Sequence, residues 1–347
     1  MSISTQFAKK KYYWNIFLKP LALAKKTHVV YHKLKNYFIS RRFPSSLVLG
    51  VTYRCQLDCS HCGIENCRKS GQEELSKEEI KGVIRQAHRL GVYFIVFSGG
   101  EPLLREDICE LVNFVASEGL VIAINTNGLL LTTTMLSELK RAGLTFINIS
   151  LDGAEAEHHH QLRRAEGCFD KTIKAIKACG TFGISVFVSV CATKENIHNK
   201  EIEKIIILAR TLGAKGVKIT LATPVGKWLH CPEVQLSKEE RLYVASLLDP
   251  TYVFVEGVLN TGMECNSALK KICYVSPYGE VQPCIFVPLY FGNVRSEPLR
   301  NIWQIMTNHA LYRIADKGEC IISNEYFRKQ FIDNTDKHKG LPVKIIQ

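Results

Sequence analysis

The chain has 347 residues, 46% of them hydrophobic, and a formal net charge of +12. This length and composition argue against disorder and allow one large domain with a smaller one beside it. The thirteen cysteines are odd in number and unevenly spaced. Secreted disulfide frameworks normally pair an even number of cysteines in a short chain. The pattern therefore favours metal ligation in a reducing compartment and predicts a cytoplasmic protein.

The positive charge is concentrated at the N-terminus. Eleven Lys and Arg residues and no Asp or Glu lie between Met1 and Leu57. We predict a basic, helical N-terminal arm over 1–43 that either associates peripherally with a membrane surface or packs on the domain behind it. Its apolar runs are far shorter than the roughly 18 to 20 residues of a membrane span, and it lacks the features of a secretory signal. No recognition motif lies beside it, so no nucleic-acid partner is expected.

Apolar, β-branched stretches alternate with helical patterns from about residue 46 to residue 222. This alternation predicts parallel β/α units in an α/β fold. The predicted strands are 46–52, 93–97, 121–124, 146–151, 185–192 and 217–221. The first helix is indicated by Ser76 and Glu79, which form an S-x-x-E capping box before apolar residues at helical spacing. Later helices are predicted over 107–117, 133–142, 171–179 and 199–212.

The residues with reactive or ligating side chains follow these strands. Right-handed crossovers place the carboxyl ends of parallel strands at one end of a barrel, where active-site loops gather. After residue 230 the pattern changes to a capped helix near Ser237 and then to a cysteine-bearing segment with Pro and Gly turns. We therefore predict a core domain over 44–235 and a second domain with a tail over 236–347.

Cys55, Cys59 and Cys62 follow the first strand with the spacing C-x3-C-x2-C. Three thiolates on one short loop can hold one metal centre, and a four-iron cluster with three protein ligands keeps one iron open. A ligand with amino and carboxylate groups, such as S-adenosylmethionine (SAM), can chelate that iron. The alternative is a structural zinc site with Cys67 or His61 as its fourth ligand.

Further motifs follow the later strands in barrel order. They are Ser98-Gly99-Gly100-Glu101-Pro102, Asn125-Thr126-Asn127-Gly128, Ser150-Leu151-Asp152-Gly153, His159 and Arg163 with Gly167 and Phe169, and Pro224-Val225-Gly226-Lys227. Together with the cysteine loop, these motifs resemble those of the radical SAM superfamily. The resemblance implies a partial (β/α)6 TIM-like barrel with a 4Fe-4S cluster on Cys55, Cys59 and Cys62.

The resemblance also implies the residues that contact SAM. In the family, the GGEP segment meets the amino group of SAM and an arginine reaches its carboxylate. Arg164 stands where relatives commonly have Gly, so it is an alternative to Arg163. The adjacent run from His158 to His160 we interpret as a solvated loop and not as a metal site. The implied SAM contacts are Ser98, Gly99, Gly100, Glu101, Pro102, Thr126, Asn127, Ser150, Asp152 and Arg163.

The C-terminal part carries a second group of cysteines. The segment from Cys273 to Cys284 has the pattern of a short β-hairpin that turns at Pro-Tyr-Gly. It resembles the SPASM or twitch extension of radical SAM enzymes, a small α+β region that holds an auxiliary 4Fe-4S cluster. The implied ligands are Cys265, Cys273, Cys284 and Cys320; alternatively Cys320 is incidental and the cluster has an open iron or is lost.

Five other cysteines we interpret as small core residues: Cys109, Cys168, Cys179, Cys191 and Cys231.

The resemblance implies reductive cleavage of SAM to a 5′-deoxyadenosyl radical that abstracts a hydrogen atom from a substrate. Peptide or protein modification is the first expectation, and a lipid, carbohydrate or other small molecule at a membrane surface is the second. A non-catalytic iron-sulfur redox sensor is the third. An electron donor such as flavodoxin or ferredoxin is expected as a partner. No side chain is assigned a catalytic role of its own.

Overall fold

The computed structural model describes residues 44–256, 265–314, 320–332 and 341–345, together with the helical residues Thr27 and Val30. The predicted N-terminal arm, apart from those two residues, lies outside the described part of the chain. Within that part, no helix is long and apolar enough to cross a membrane.

The fold is built on one nine-stranded sheet. Its strands are β1 Ser46–Thr52, β2 Phe94–Gly99, β3 Val121–Thr126, β4 Phe146–Ser150, β5 Ser185–Ala192, β6 Gly216–Leu221, β7 Val253–Glu256, β8 Ile272–Val275 and β9 Val281–Gln282. They lie in the order β7-β6-β5-β4-β3-β2-β1-β8-β9. Strands β1 to β8 are parallel to their neighbours, and β9 is antiparallel to β8. Because β7 and β9 are separate edges, the barrel is open, which confirms the predicted α/β partial barrel.

Helices connect the parallel strands. They are α1 Lys77–Arg89, α2 Ile108–Ser117, α3 Thr133–Arg141, α4 Ala156–Arg163, α5 Cys168–Thr181, α6 Lys194–His198, α7 Glu201–Thr211, α8 Lys238–Ser246, α9 Leu299–Asn308, α10 Leu311–Ile314 and α11 Glu325–Phe331. A second, two-stranded sheet pairs β10 Leu289–Tyr290 with β11 Val343–Lys344. The predicted capping box begins α1: Glu79 N donates to Ser76 Oγ, and Ser76 N donates to the Glu79 carboxylate.

The two faces of the sheet differ. The side chains that face the helices are apolar and form the main core; Leu47, Ile95, Val188 and Ile219, for example, are completely buried. On the opposite face, which we call the lumen face, a smaller aromatic cluster includes Phe146 and Phe187. Toward the carboxyl ends of the strands the lumen face becomes polar. The fold therefore brings its polar strand positions to the end of the barrel where the cysteine loop begins.

Three features of the fold differ from the prediction or go beyond it. The Cys273–Cys284 hairpin is present as β8 and β9, but β8 also pairs with β1, with Cys273 opposite Leu47. The C-terminal segment thus continues the core sheet, and β7 extends the other edge. The histidine run lies in α4 and not in a loop. His159 is the one buried residue of this helix, so the segment has no apolar stripe at helical spacing that would have marked it in the sequence.

Candidate functional site

The cysteine loop leaves the carboxyl end of β1 at the polar end of the barrel. Cys55, Cys59 and Cys62 are all partly buried. The loop is held in two places: Cys62 N donates to Cys59 O at 3.2 Å, and Ser60 N donates to Leu162 O, in the last turn of α4, at 2.9 Å. The three thiols therefore lie on one short, anchored segment.

Nitrogen donors face two of the three sulfurs. Arg163 Nη1 lies 3.7 Å from Cys59 Sγ, and Asn127 Nδ2 lies 4.0 Å from Cys55 Sγ. Leu57 N lies 3.5 Å from Cys55 Sγ. Burial raises the pKa of the Cys55 and Cys62 thiols. Because donors to sulfur and a bound metal both favour the thiolate, this donor set fits an iron-sulfur cluster. No three or more His, Cys, Asp or Glu side chains of the described residues are arranged around a single metal ion.

The two glycines at the end of β2 pack against the backbone that leads from β1 into the cysteine loop. A Cβ on Gly99 would lie 2.1 Å from Thr52 O, and one on Gly100 would lie 2.2 Å from Arg54 O. The amides of Gly100 and Glu101 donate to these same oxygens at 2.8 Å. The paired glycines therefore allow two backbone segments to approach closely: the turn after β2 lies against the end of β1 and the start of the cysteine loop.

Glu101 joins the turn after β2 to the turn after β3. Its carboxylate accepts from Leu103 N at 3.1 Å, from Thr126 Oγ1 at 2.8 Å and from Asn127 N at 2.8 Å. The residue is completely buried, and this burial raises the pKa of the carboxyl although the three donors oppose the shift. Pro102 begins the short 3-10 turn Pro102–Leu104 beside it. The Glu101 carboxylate thus positions the Thr126-Asn127 turn in this conformation.

The other predicted polar contacts lie along the lumen face. Asn125 Nδ2 donates to Ser98 Oγ at 3.4 Å, and Asn148 Nδ2 donates to Asn125 Oδ1 at 2.7 Å. Ser150 ends β4, where it is paired in register with Ser189. The structure therefore brings the ends of β2, β3 and β4 together beside the cysteine loop.

Asp152 and Arg163 form a buried ion pair beside Cys59. Arg163 Nη2 lies 2.5 Å from Asp152 Oδ2, and Asp152 Oδ1 accepts from Cys191 N at 2.8 Å. Burial alone would raise the pKa of Asp152, but the Arg163 charge and His61 outweigh it and hold that pKa below its usual value. Burial likewise opposes the charge on Arg163, and Asp152 and Cys59 outweigh it and raise the Arg163 pKa. Both groups are therefore ionised.

The structure distinguishes Arg163 from Arg164. Arg164 ends α4 in a left-handed conformation with φ 51°, and its side chain is 57% exposed at 3.5 Å from Asp58. Only Arg163 enters the site. The three histidines before it face different partners: His158 faces Glu201, His159 accepts from Asp152 N at 3.1 Å, and Phe169 N donates to His160.

Sequence reasoning missed how several residues contribute to the site. His61 Nε2 lies 3.7 Å from Asp152 Oδ2, and burial lowers the pKa of His61 to about 4. Cys191 lies on the lumen face close to Asp152 and Arg163, so its assignment to the core was wrong. Alternation along β5 could have shown this, because Val188 and Val190 face the helices. Gly226 also packs on the cysteine loop: a Cβ there would lie 2.1 Å from Cys62 O.

The second group of cysteines gathers near β8. The pKa of Cys284 is raised by burial and, after it, by the nearby Cys265 and Cys320 thiols, and the pKa of Cys265 is raised by burial and then by Cys320. Cys273 is buried on β8, and the Tyr312 phenol lies near Cys273, Cys284 and Cys265. These are the four predicted auxiliary ligands.

Cys67, which the sequence offers only as a fourth ligand of the alternative zinc site, packs apart from this group. It lies in a small apolar cluster with Tyr53, Ile64 and Tyr278, and burial raises its pKa to about 12.

The relation to known proteins agrees with this geometry. The family model for the radical SAM superfamily matches residues 49–224, and the SPASM model, an iron-sulfur cluster-binding domain, matches residues 265–328. The AdoMet-dependent heme synthase of Methanosarcina barkeri is 28% identical over 310 residues, which cover 80% of this chain and 87% of that protein. The mycofactocin maturase MftC of Mycolicibacterium smegmatis is also 28% identical, over 75% of this chain and 70% of that protein.

Solved structures show the same fold. The crystal structure of Streptococcus suis SuiB bound to S-adenosylmethionine superposes with a TM-score of 0.64 at 18% identity, covering 82% of this chain and 71% of that chain. The family model for the core matches half of the chain and includes the cysteine loop and the glycine turn, and the SPASM model includes the four cysteines of the second group. The chain therefore belongs to the radical SAM superfamily, as an enzyme that uses SAM and a 4Fe-4S cluster and carries an auxiliary iron-sulfur cluster in a SPASM domain.

Proposed function

We propose that Cys55, Cys59 and Cys62 hold the SAM-binding cluster and that the enzyme abstracts a hydrogen atom from a peptide substrate. When bound, the cluster supplies the electron that cleaves SAM and so yields the 5′-deoxyadenosyl radical. The observation that carries the assignment is the convergence of Arg163, Asn127 and Leu57 donors on two of the three sulfurs. Donors of this kind around ligand sulfurs tune a metal centre and hold its ligands in place.

Arg163 is the proposed ligand of the SAM carboxylate. Its Nε is buried and has no hydrogen-bond partner among the described residues, although Nη1 and Nη2 face Cys59 and Asp152. A buried donor without a partner costs free energy, and an incoming carboxylate would satisfy it. Asp152 fixes the guanidinium in place. The remaining predicted contacts, on the turns after β2, β3 and β4, would line the SAM pocket.

Apolar side chains line the opposite end of the lumen. Phe146 and Phe187 pack edge-to-face with ring centroids 5.7 Å apart, and Phe254 packs against Phe187 at 6.1 Å. An apolar floor suits radical chemistry, because a site that disfavours water protects a reactive intermediate.

Several related proteins support a peptide substrate. They include the mycofactocin maturase and the PqqA peptide cyclase of Rhizobium meliloti, which is 28% identical over 79% of this chain. SuiB, which shares the fold, has been crystallised with its precursor peptide SuiA. In this proposal Cys265, Cys273, Cys284 and Cys320 ligate one auxiliary cluster, and a flavodoxin or ferredoxin supplies electrons.

A tetrapyrrole substrate is the second candidate. Three heme synthases are 28% identical to the chain over 78 to 80% of its length. The Fe-coproporphyrin III synthase of Methanosarcina barkeri is 35% identical over 44% of the chain. The two candidates share the site described above and differ in what enters the lumen.

The cluster assignment is tested by the triple variant Cys55→Ala/Cys59→Ala/Cys62→Ala. We expect the anaerobically reconstituted variant to lose about four iron atoms per chain, one cluster, and all formation of 5′-deoxyadenosine from SAM under dithionite. Cys109→Ala is the matched control, because Cys109 lies on the outer helix α2. It should keep the wild-type iron content and the formation of 5′-deoxyadenosine. Cleavage of SAM by the triple variant would contradict the assignment.

A further inference from the structure

The lumen contains one ion pair that neither the cluster site nor the SAM contacts use. Lys218 on β6 and Glu256 on β7 are the only charged residues in strands β1 to β7. Lys218 Nζ lies 2.9 Å from Glu256 Oε2. Charged residues are rare inside a barrel because burial of a charge is costly, so the buried position of Lys218 requires an explanation.

Strand register shows that Lys218 faces the lumen. Its flanking residues Val217 and Ile219 belong to the core beneath the helices, so Lys218 points the other way. It is paired in register with Phe254, which packs in the aromatic cluster on the lumen face. On its other side it is paired with Ser189.

The same register gives the depth of Lys218. Cys191, whose backbone N–H binds Asp152, is paired with Thr220. Lys218 precedes Thr220 by two residues, which is about 6.6 Å along a parallel strand. Lys218 therefore lies one side-chain layer below the Asp152–Arg163 pair, on the way from the proposed SAM pocket to the aromatic floor.

The two members of the pair are not equally confined. The Lys218 side chain is 13% exposed, whereas the Glu256 side chain is 51% exposed at the rim. The Lys218 charge lowers the pKa of Glu256, so Glu256 is an anion at neutral pH. Glu256 can turn into solvent at small cost, but the Lys218 ammonium has three donors and neighbours such as Ser189 and Thr220 that carry no charge. A second anion in the lumen would find its counter-ion at Lys218.

We propose that Lys218 binds a carboxylate of the substrate and so holds it below SAM, with Glu256 as the group that the substrate displaces or shares. This inference rests on the proposed function, since it names a chemical feature of the substrate of that same site. The carboxylate comes either from an acidic peptide or from a tetrapyrrole propionate. A charge-assisted contact of this kind is directional and gives specificity as well as affinity.

The test is equilibrium binding to the anaerobically reconstituted, SAM-loaded enzyme with two pairs of probes. One pair is coproporphyrin III and its tetramethyl ester, followed by porphyrin absorbance. The other is a Glu-containing pentapeptide amide and its Gln counterpart, followed by calorimetry. We expect the wild-type enzyme to bind the acid of one pair about tenfold more tightly than its neutral counterpart, the magnitude of one charged hydrogen bond. The pair that shows the preference identifies the source of the carboxylate.

Variants at both ends of the ion pair separate substrate binding from a structural role. Lys218→Met should abolish the preference for the acid, and Lys218→Arg should retain most of it. Glu256→Gln should tighten binding of the acid, because it removes the competing anion. A purely structural ion pair predicts that Lys218→Met and Glu256→Gln weaken binding alike. Lys215→Met, at an exposed lysine just before β6, is the matched control and should behave as wild type.

Two results would overturn the inference. One is an unchanged preference for the acid in Lys218→Met, and the other is equal binding of acid and neutral probes by the wild-type enzyme in both pairs. Formation of 5′-deoxyadenosine by the wild-type and Lys215→Met proteins is measured in parallel. If these proteins cleave SAM but either of the two overturning results is obtained, only the role of Lys218 is wrong. If they do not cleave SAM, the proposed function is wrong as well.

Discussion

The Asp152–Arg163 pair shows how single residues of this site depend on each other. Each charge is buried, and each is stabilised chiefly by the other. Arg163 also faces Cys59, so the pair connects the α4 helix and the β4 end to the cysteine loop. Removal of one partner leaves an uncompensated buried charge, which costs more than removal of both.

We therefore predict non-additive effects at this pair. Arg163→Met and Asp152→Asn should each destabilise the protein by about 3 to 5 kcal/mol, and the double variant should lose less than the sum. Arg163→Met should also weaken SAM binding, which is measured by calorimetry beside urea denaturation. Arg164→Met, at the exposed neighbour, is the control and should change neither. Additive losses in the double variant would show that the two charges do not stabilise each other.

At the scale of secondary-structure elements, close backbone packing builds the site. The turn after β2 and the turn after β6 both lie against the cysteine loop, with room only for glycine at Gly99, Gly100 and Gly226. The cysteine loop is thus held by backbone contacts on two sides, at the end of β2 and at the turn after β6. The geometry of the three thiols depends on these contacts as well as on the cysteines themselves.

A single methyl group added at Gly100 should disturb the cysteine loop. Gly100→Ala would place a Cβ 2.2 Å from Arg54 O, so the turn or the loop must shift. We expect lower iron content after reconstitution and slower formation of 5′-deoxyadenosine. Gly82→Ala is the matched control: its Cβ meets nothing within 4 Å, and in the middle of α1 it should stabilise the protein by about 0.5 to 1 kcal/mol. Wild-type iron content in Gly100→Ala would show that the loop tolerates the shift.

At the scale of the whole molecule, the SPASM region and the core share structure. Strand β8 lies beside β1, and Lys69 Nζ binds the buried Glu280 at 2.6 Å. Arg295 binds the Glu79 carboxylate on α1 and the carbonyls of Glu73 and Glu74 in the segment before that helix. The SPASM region is therefore joined to the core through the β1–β8 pairing and through the contacts of Arg295, which we call the Arg295 clasp.

The contact between Arg295 and Glu79 in this clasp should stabilise the protein by an amount that depends on pH. The hydrogen bond from Arg295, opposed by partial burial and supported by Ser76, lowers the pKa of Glu79 to about 2. Since the folded pKa is depressed, this stabilisation is present above the unfolded value of about 4.3 and is lost as the pH falls toward 2. Glu79→Gln should cost about 1 kcal/mol or less at pH 7, because the pair is partly exposed, and nothing below pH 2.

Urea denaturation across this pH range measures the difference between Glu79→Gln and wild type. Glu78→Gln is the control at a neighbouring, exposed carboxylate whose partner Lys81 lies on the same helix. A difference between Glu79→Gln and wild type that stayed constant from pH 7 to pH 2 would show that the carboxylate charge does not contribute to the clasp.

Local signals allowed much of the fold to be predicted. Strands β1 and β5 begin and end at the predicted residues, because their apolar and β-branched runs are bounded by clear changes in composition. The Ser76 and Ser237 capping boxes marked two helix starts for a physical reason that is complete within four residues. Helix α4 was missed because its burial depends on contacts with Asp152 and Glu201, which no local pattern contains.

For the site, the amino-acid sequence alone was sufficient to indicate the three thiols of the loop, the order of the motifs and the hairpin of the second cysteine group. Spacing within a few residues sets these features. The tertiary structure decided that Arg163 and not Arg164 enters the site, and that the Glu101 carboxylate accepts hydrogen bonds from Thr126 and Asn127. It also decided that Cys191 and Lys218 face the lumen and that β8 pairs with β1. These depend on strand register and on contacts between distant segments, because burial and pairing arise only when the strands lie side by side.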